Sequence, residues 1–171
     1  TQLEDTVDRY RQLIDINPAA VERYSRLAEI LFDLDRVEEG IDVLLELAKL
    51  HESQHRFAEA EDVFEEIFER DPENEKAYLG LAEFYIKRGG HEKEAVRNLR
   101  EAALIRAKND DFKCALETLR SAFEVVPDSS LIQREIANLY LLSGYRDDDA
   151  AYSELEKLAE MSGEFIERGE Y

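Results

Sequence analysis

Cysteine is nearly absent from this chain of 171 residues: Cys114 stands alone, so no disulfide can form within it and a reducing compartment is compatible. It sits beside Ala115 in a helical pattern, the setting of a small core residue. With only 3 Pro and 7 Gly, no linker or low-complexity segment divides the chain. Its length suits one globular unit or one stack of repeats. No apolar run reaches the length of a membrane span, so membrane insertion is not expected. Cations are also short: Lys+Arg is 22 against Asp+Glu 41, a net charge of -19. Phosphate recognition needs clustered cations, which argues against nucleic acid and anionic membrane surfaces as partners. A basic partner does not follow from this, because acidic helix surfaces commonly serve solubility. The chain begins at Thr1 rather than Met and ends in ERGEY, so it reads as a fragment of a longer protein. A missing signal peptide is then uninformative about the parent, and a cytoplasmic location is the expectation.

What is present is helical periodicity. Residues 44–88 read LLELAKLHESQHRFAEAEDVFEEIFERDPENEKAYLGLAEFYIKR. Within them Leu47-Ala48, Phe57, Ala60, Phe64, Ile67 and Pro72 are followed by Tyr78, Leu81-Ala82 and Tyr85. Small and large apolar residues recur at helical spacing, with a proline between two helices. Here the chain resembles the tetratricopeptide repeat family, which implies stacked helical hairpins of about 34 residues each.

Taken in order, Leu3, Val7, Tyr10, Leu13 and Ile14 share a helical face that leads to Asn17-Pro18, a partial repeat over 1–18. A helix over about 19–34 carries Tyr24, Leu27-Ala28 and Leu31. The next, 37–53, begins with Val37 and Gly40, where a small residue lets two helices approach at a helix-propensity cost of about 1 kcal/mol. This helix has two readings in the repeat frame: counted from Val21 it is a second helix, and counted back from Pro72 a first. A third helix, 56–70, leads to Pro72. The pattern then recurs. Tyr78, Leu81-Ala82 and Tyr85 lie 54 residues after Tyr24, Leu27-Ala28 and Leu31. After a one-residue insertion at Gly89-Gly90 the offset is 55, and it holds from Ala95 and Leu99 through Phe112, Ala115, Leu119 and Pro127. A third cycle opens with Ile136-Ala137 and Tyr140, with Gln133 in place of the aromatic, and continues through Ala150, Leu155, Leu158 and Ala159.

The expected architecture is therefore all-α: a tetratricopeptide-like α-solenoid of about nine antiparallel helices forming a single domain over 1–171. Its cycles are 19–72, 73–127 and 128–161, and 162–171 starts a further helix or a tail. Three helices per cycle sits awkwardly with a plain alternation of two layers, since equivalent helices three apart would fall in opposite layers. Either the stack is irregular, or the helices at 37–53 and 92–108 serve two repeats.

One motif points to chemistry. His51-Glu52-Ser53-Gln54-His55 spells H-E-x-x-H, which on a helix places two imidazoles on one face for zinc and a glutamate beside the bound water. The repeat frame accounts for both histidines otherwise, with His51 as a bulky packing residue and His55 at a turn. The extended motif fails, because Ala58 and Glu61 stand where it needs glycine and histidine. A zinc hydrolase is thus a remote alternative, and the expectation is a non-enzyme without metal or cofactor. Asp147-Asp148-Asp149 reads as helix capping, since it lacks the alternate spacing and glycine of a calcium loop.

The resemblance also implies where a ligand would lie: at the second, fifth and ninth places of first helices. These are Glu22, Ser25 and Glu29; Lys76, Leu79 and Glu83; Arg97, Arg100 and Leu104; and Leu131, Arg134 and Asn138. The lysine–asparagine pair by which some family members clamp a terminal carboxylate is missing. Lys76, Arg97, Arg100 and Arg134 form a cationic set suited to an acidic segment, and with Leu79, Glu83 and Asn138 they are the candidate partner-binding residues. The function this implies is a non-catalytic scaffold that binds a peptide or protein partner. The alternative is a self-associating assembly module of a secretion or motility complex.

Overall fold

The computed structural model describes residues 2–127 and 129–143. Among them are eight helices and no strand: α1 (Gln2–Ile16), α2 (Val21–Asp33), α3 (Val37–Ser53), α4 (Phe57–Arg70), α5 (Glu75–Arg88), α6 (Glu92–Lys108), α7 (Phe112–Val125) and α8 (Ser130–Ser143). The ninth helix expected near 147–161, the Asp147-Asp148-Asp149 cap and the tail lie outside the described residues.

Two compact units make up the chain, and the boundary between them falls within α5, between Leu81 and Ala82. In the first unit α1 packs on α2, α2 on α3, and α3 on α4. Helix α3, the one with two readings, therefore packs against both its neighbours. Alternate helices touch as well: Arg11 of α1 donates to Glu39 of α3 at 2.7 Å, and the Arg70 guanidinium of α4 lies 3.8 Å from the ring centre of Phe32 in α2. Val7, Leu27, Ile30 and Leu31 form a buried cluster at the start of this unit. In the second unit α6 packs on α7 and α7 on α8, over buried Ala102, Ala115, Ala122 and Ile132.

The sequence builds these helices with two kinds of turn. After α2, α3 and α6 the chain turns through a left-handed residue: Asp35, His55 and Asp110, with φ of 60°, 58° and 61°. Each closes a Schellman motif. The amides of Arg36, Arg56 and Asp111 donate to the carbonyls of Leu31, His51 and Arg106, all at 2.9 Å. At the corresponding place after α5, Gly89 and Gly90 supply positive φ instead. After α1, α4 and α7 the turn carries Pro18, Pro72 or Pro127. There the amides of Ala20, Asn74 and Ser129 donate to the carbonyls of Asn17, Asp71 and Val126. The phenols of Tyr24 and Tyr78 lock the first two, each donating to the proline carbonyl six residues earlier at 3.1 Å. Gln133, at the third such position, is buried.

Gly40 plays the part expected of it: a Cβ there would lie 2.7 Å from Cδ1 of Phe32. Cys114 departs from its expected core role, because it is only half-buried. The reason is its place in the first turn of α7, where its amide donates to Asp111 Oδ1 at 3.2 Å and that carboxylate pushes the thiol pKa up.

A left-handed conformation costs a residue with a Cβ about 1 kcal/mol more than glycine. His55→Gly is accordingly expected to raise stability by about 1 kcal/mol in denaturant unfolding, with an unchanged m-value.

A groove between helices six and eight

Arg100 of α6 reaches across to Glu135 of α8. Its Nε donates to Oε2 at 2.7 Å, and its Nη2 donates to Oε1 in a second, parallel bond. Both side chains are about two-thirds buried, at 32% and 28% exposed. Beside this bridge runs a groove of about 190 Å³. Ala103, Leu104, Ala107, Leu119 and Leu139 supply its apolar surface, and Arg100, Glu101, Glu135 and Asn138 its polar rim. Leu104 is 52% exposed, an unusual state for a leucine that faces a cavity.

The 54–55-residue correspondence explains why the groove is open. Counting with each cycle the helix that follows it, the residues matching Arg100, Leu119 and Glu135 of the second are Leu45, Phe64 and Gly80 of the first. A Cβ on Gly80 would meet the Phe64 ring at 3.2 Å and Leu45 Cδ2 at 3.8 Å, so those three positions are packed shut. In the second cycle the aromatic shrinks to Leu119, and an arginine and a glutamate replace the leucine and glycine. An ion pair bridges the helices where the first cycle has apolar contact.

Of the residues the repeat frame singles out, Arg100, Leu104 and Asn138 come together on this groove. Arg97 and Arg134 are exposed on α6 and α8 without lining it. Leu79 is half-buried on α5; its neighbours there, Lys76 and Glu83, are engaged elsewhere, Lys76 with Asp42 at 2.7 Å and Glu83 with Lys87 at 2.9 Å. The expected cationic set is therefore not one open patch, since Lys76 and Arg100 are each held by a carboxylate from another helix. Glu135, Leu119 and Leu139 were not among the expected site residues. The departures from Gly80 and Phe64 find Glu135 and Leu119, and Leu139 stands where the earlier helix has Phe84.

Residues 51–113 match the family model of the tetratricopeptide repeat. That stretch is similar to the tetratricopeptide repeat. It runs from the end of α3 to the start of α7, somewhat over a third of the chain. No curated protein sequence matches the chain. Among solved structures, a MamA mutant aligns over 92% of this chain and 98% of its own at 19% identity, with a TM-score of 0.37. A Pseudomonas aeruginosa PilF structure aligns over 94% and 78% at 15% identity, with a TM-score of 0.44. The C-terminal part of a TPR repeat-containing protein from Cytophaga hutchinsonii aligns over 95% and 75% at 12% identity, with a TM-score of 0.35. Likenesses of this order bear on neither the arrangement of the helices nor the partner.

Within the matched stretch, the H-E-x-x-H motif does not form a helical zinc pair. Helix α3 ends at Ser53, so His55 lies beyond it, in left-handed backbone, with its ring edge-on to Phe57 at 5.8 Å. His51 is 4% exposed and its Nδ1 has no hydrogen-bond partner. Among the described residues no three His, Cys, Asp or Glu side chains form a metal-sized group, and no helix is long and apolar enough to cross a membrane. Burial, reinforced by Arg56 and opposed by Glu59 and Asp62, holds the His51 pKa below its ordinary value. The unfolded chain therefore takes up this proton first as pH falls, and the folded state loses stability relative to it. His51→Leu, which copies Leu31 of α2, should reduce the loss of stability between about pH 7 and pH 5 in denaturant unfolding. It should also raise stability at neutral pH by about 1 kcal/mol, because it removes an unsatisfied buried nitrogen.

Proposed function

We propose that this chain is a non-catalytic scaffold, a tetratricopeptide-like solenoid that holds a peptide or protein segment in the groove between α6 and α8. The observation that carries the reading is the exposed Leu104 on an apolar surface, at a place the first cycle closes with Leu45, Phe64 and Gly80. An apolar surface of this kind next to a few fixed polar groups suits one leucine-sized side chain, with Asn138 offering donor and acceptor to a neighbouring peptide group. The Arg100–Glu135 pair sets the charge at one side. With Glu101 also on the rim, the groove carries more negative than positive charge. The partner segment is therefore apolar and neutral or basic at this point, and any acidic stretch it has would meet Arg97 or Arg134 outside the groove.

Photocrosslinking from position 104, and from exposed Lys93 on the same helix as a control, tests this in cells of the source organism. A partner crosslinked from 104 but not from 93, and lost when Leu139→Asp is added to a chain that keeps its circular dichroism, is the expected result. The same proteins crosslinked from both positions, or full capture by the Leu139→Asp chain, would move the site away from this groove.

A further inference from the structure

The polar groups beside the α6–α8 groove are unequally used. Arg100 bonds Glu135 through Nε and Nη2, while its third nitrogen, Nη1, has no hydrogen bond among the described residues. The exposed carboxamide of Asn138 has none among them either. Both residues line the groove together with Leu104 and Leu139. Arg100 and Leu104 are four residues apart on α6, and Glu135 and Asn138 three apart on α8. Two levels thus succeed one another along the groove, about 5 Å apart, which is close to one helical turn. The Arg100–Glu135 pair makes the first level. The second sets an apolar side chain from α6 against a free carboxamide from α8.

Charge at the first level is already balanced. Glu135 takes the guanidinium in two parallel bonds and offsets its charge, and Glu101 adds another carboxylate to the rim. A carboxylate arriving from a ligand would meet an occupied guanidinium and two negative neighbours. A neutral carbonyl can still accept from Nη1 without that repulsion. An α-helix has few carbonyls to offer, because its own amides take them. An extended chain leaves them open. It advances about 3.3 Å per residue, so peptide groups one or two residues apart span the two levels.

Resting on the scaffold reading of this groove, we propose that Arg100 reads the neutral backbone carbonyl of an extended, leucine-bearing segment, and that Glu135 is the positioning residue that fixes Arg100 and turns carboxylates away. Nη1 donates to the carbonyl, the leucine side chain lies on Leu104 and Leu139, and Asn138 pairs with a peptide group one or two residues along. The first cycle has no such reader, since Leu45 and Gly80 stand at the places of Arg100 and Glu135.

Three probes titrated into the 171-residue chain test this, with NMR following the amides of Leu104 and Leu139. They are acetyl-Ala-Leu-Ala-amide, acetyl-Ala-Leu with its free carboxylate, and 3-methyl-1-butanol, which carries only the side-chain end. Saturable shifts are expected, with the capped peptide bound about tenfold more tightly than the carboxylate. Glu135→Gln releases the guanidinium charge and should reverse that preference, which a merely structural role for Glu135 would not do. Arg100→Met with Glu135→Gln should weaken the capped peptide about tenfold and leave the alcohol unchanged. The remaining amide resonances report that each variant is folded. A wild-type preference for the carboxylate, a preference that Glu135→Gln leaves as it was, or undiminished peptide binding by the double variant would overturn the carbonyl assignment and spare the groove. No saturable shift from any probe would overturn the groove reading and this assignment with it.

Discussion

A helix that ends on a left-handed residue closes its last carbonyls against its own amides, whereas one that ends before a proline needs help from elsewhere to fix the turn. In this protein the order of those two endings sets the spacing of everything else. Left-handed turns follow α2, α3, α5 and α6, and proline turns follow α1, α4 and α7. Because the proline turn comes only after every third helix, α3 is entered and left by the same kind of turn. That is the physical content of its double reading in the sequence. Tyr24 and Tyr78 supply the outside help at the proline turns, reaching back six residues to the proline carbonyl.

Inside that frame the packing of one cycle can be laid against the other, position by position. The first cycle is filled: Gly40 admits the Phe32 ring, Phe64 abuts Gly80, and Arg70 covers Phe32. The second cycle relaxes these contacts at few positions. Leu119, Arg100 and Glu135 open one groove, while Ile86 and Val125 open another. Buried alanines such as Ala95, Ala115 and Ala122 keep the helices close, so the openings are not the result of general loosening. An exposed apolar surface costs stability unless something covers it, and covering it is what a partner would do.

Much of the fold was legible in the sequence because helix periodicity is local. The stretch carrying Leu27-Ala28 became α2 within two residues of its expected bounds, and the one carrying Leu81-Ala82 became α5. The left-handed turns at Asp35 and Asp110 were harder to see, since aspartate there carries no signature as strong as Gly89-Gly90. The site was read only in part. Arg100, Leu104 and Asn138 follow from the repeat frame, yet nothing local announces that Arg100 is held by a glutamate 35 residues away, or Lys76 by an aspartate 34 residues before it. Such pairs depend on which faces meet, and that is decided by packing between helices far apart in sequence.

The second cycle departs from a packing template that the first cycle still satisfies. Denaturant unfolding of an Arg100→Leu, Leu119→Phe, Glu135→Ala triple variant tests it most directly, since these changes restore the first cycle's apolar contacts while avoiding a helical glycine. The variant is expected to be more stable than the parent chain by about 1–2 kcal/mol, as apolar surface in the groove is buried. A variant destabilised by a similar amount would show that the two cycles do not share a template, and that the groove is not a relaxed version of a filled site.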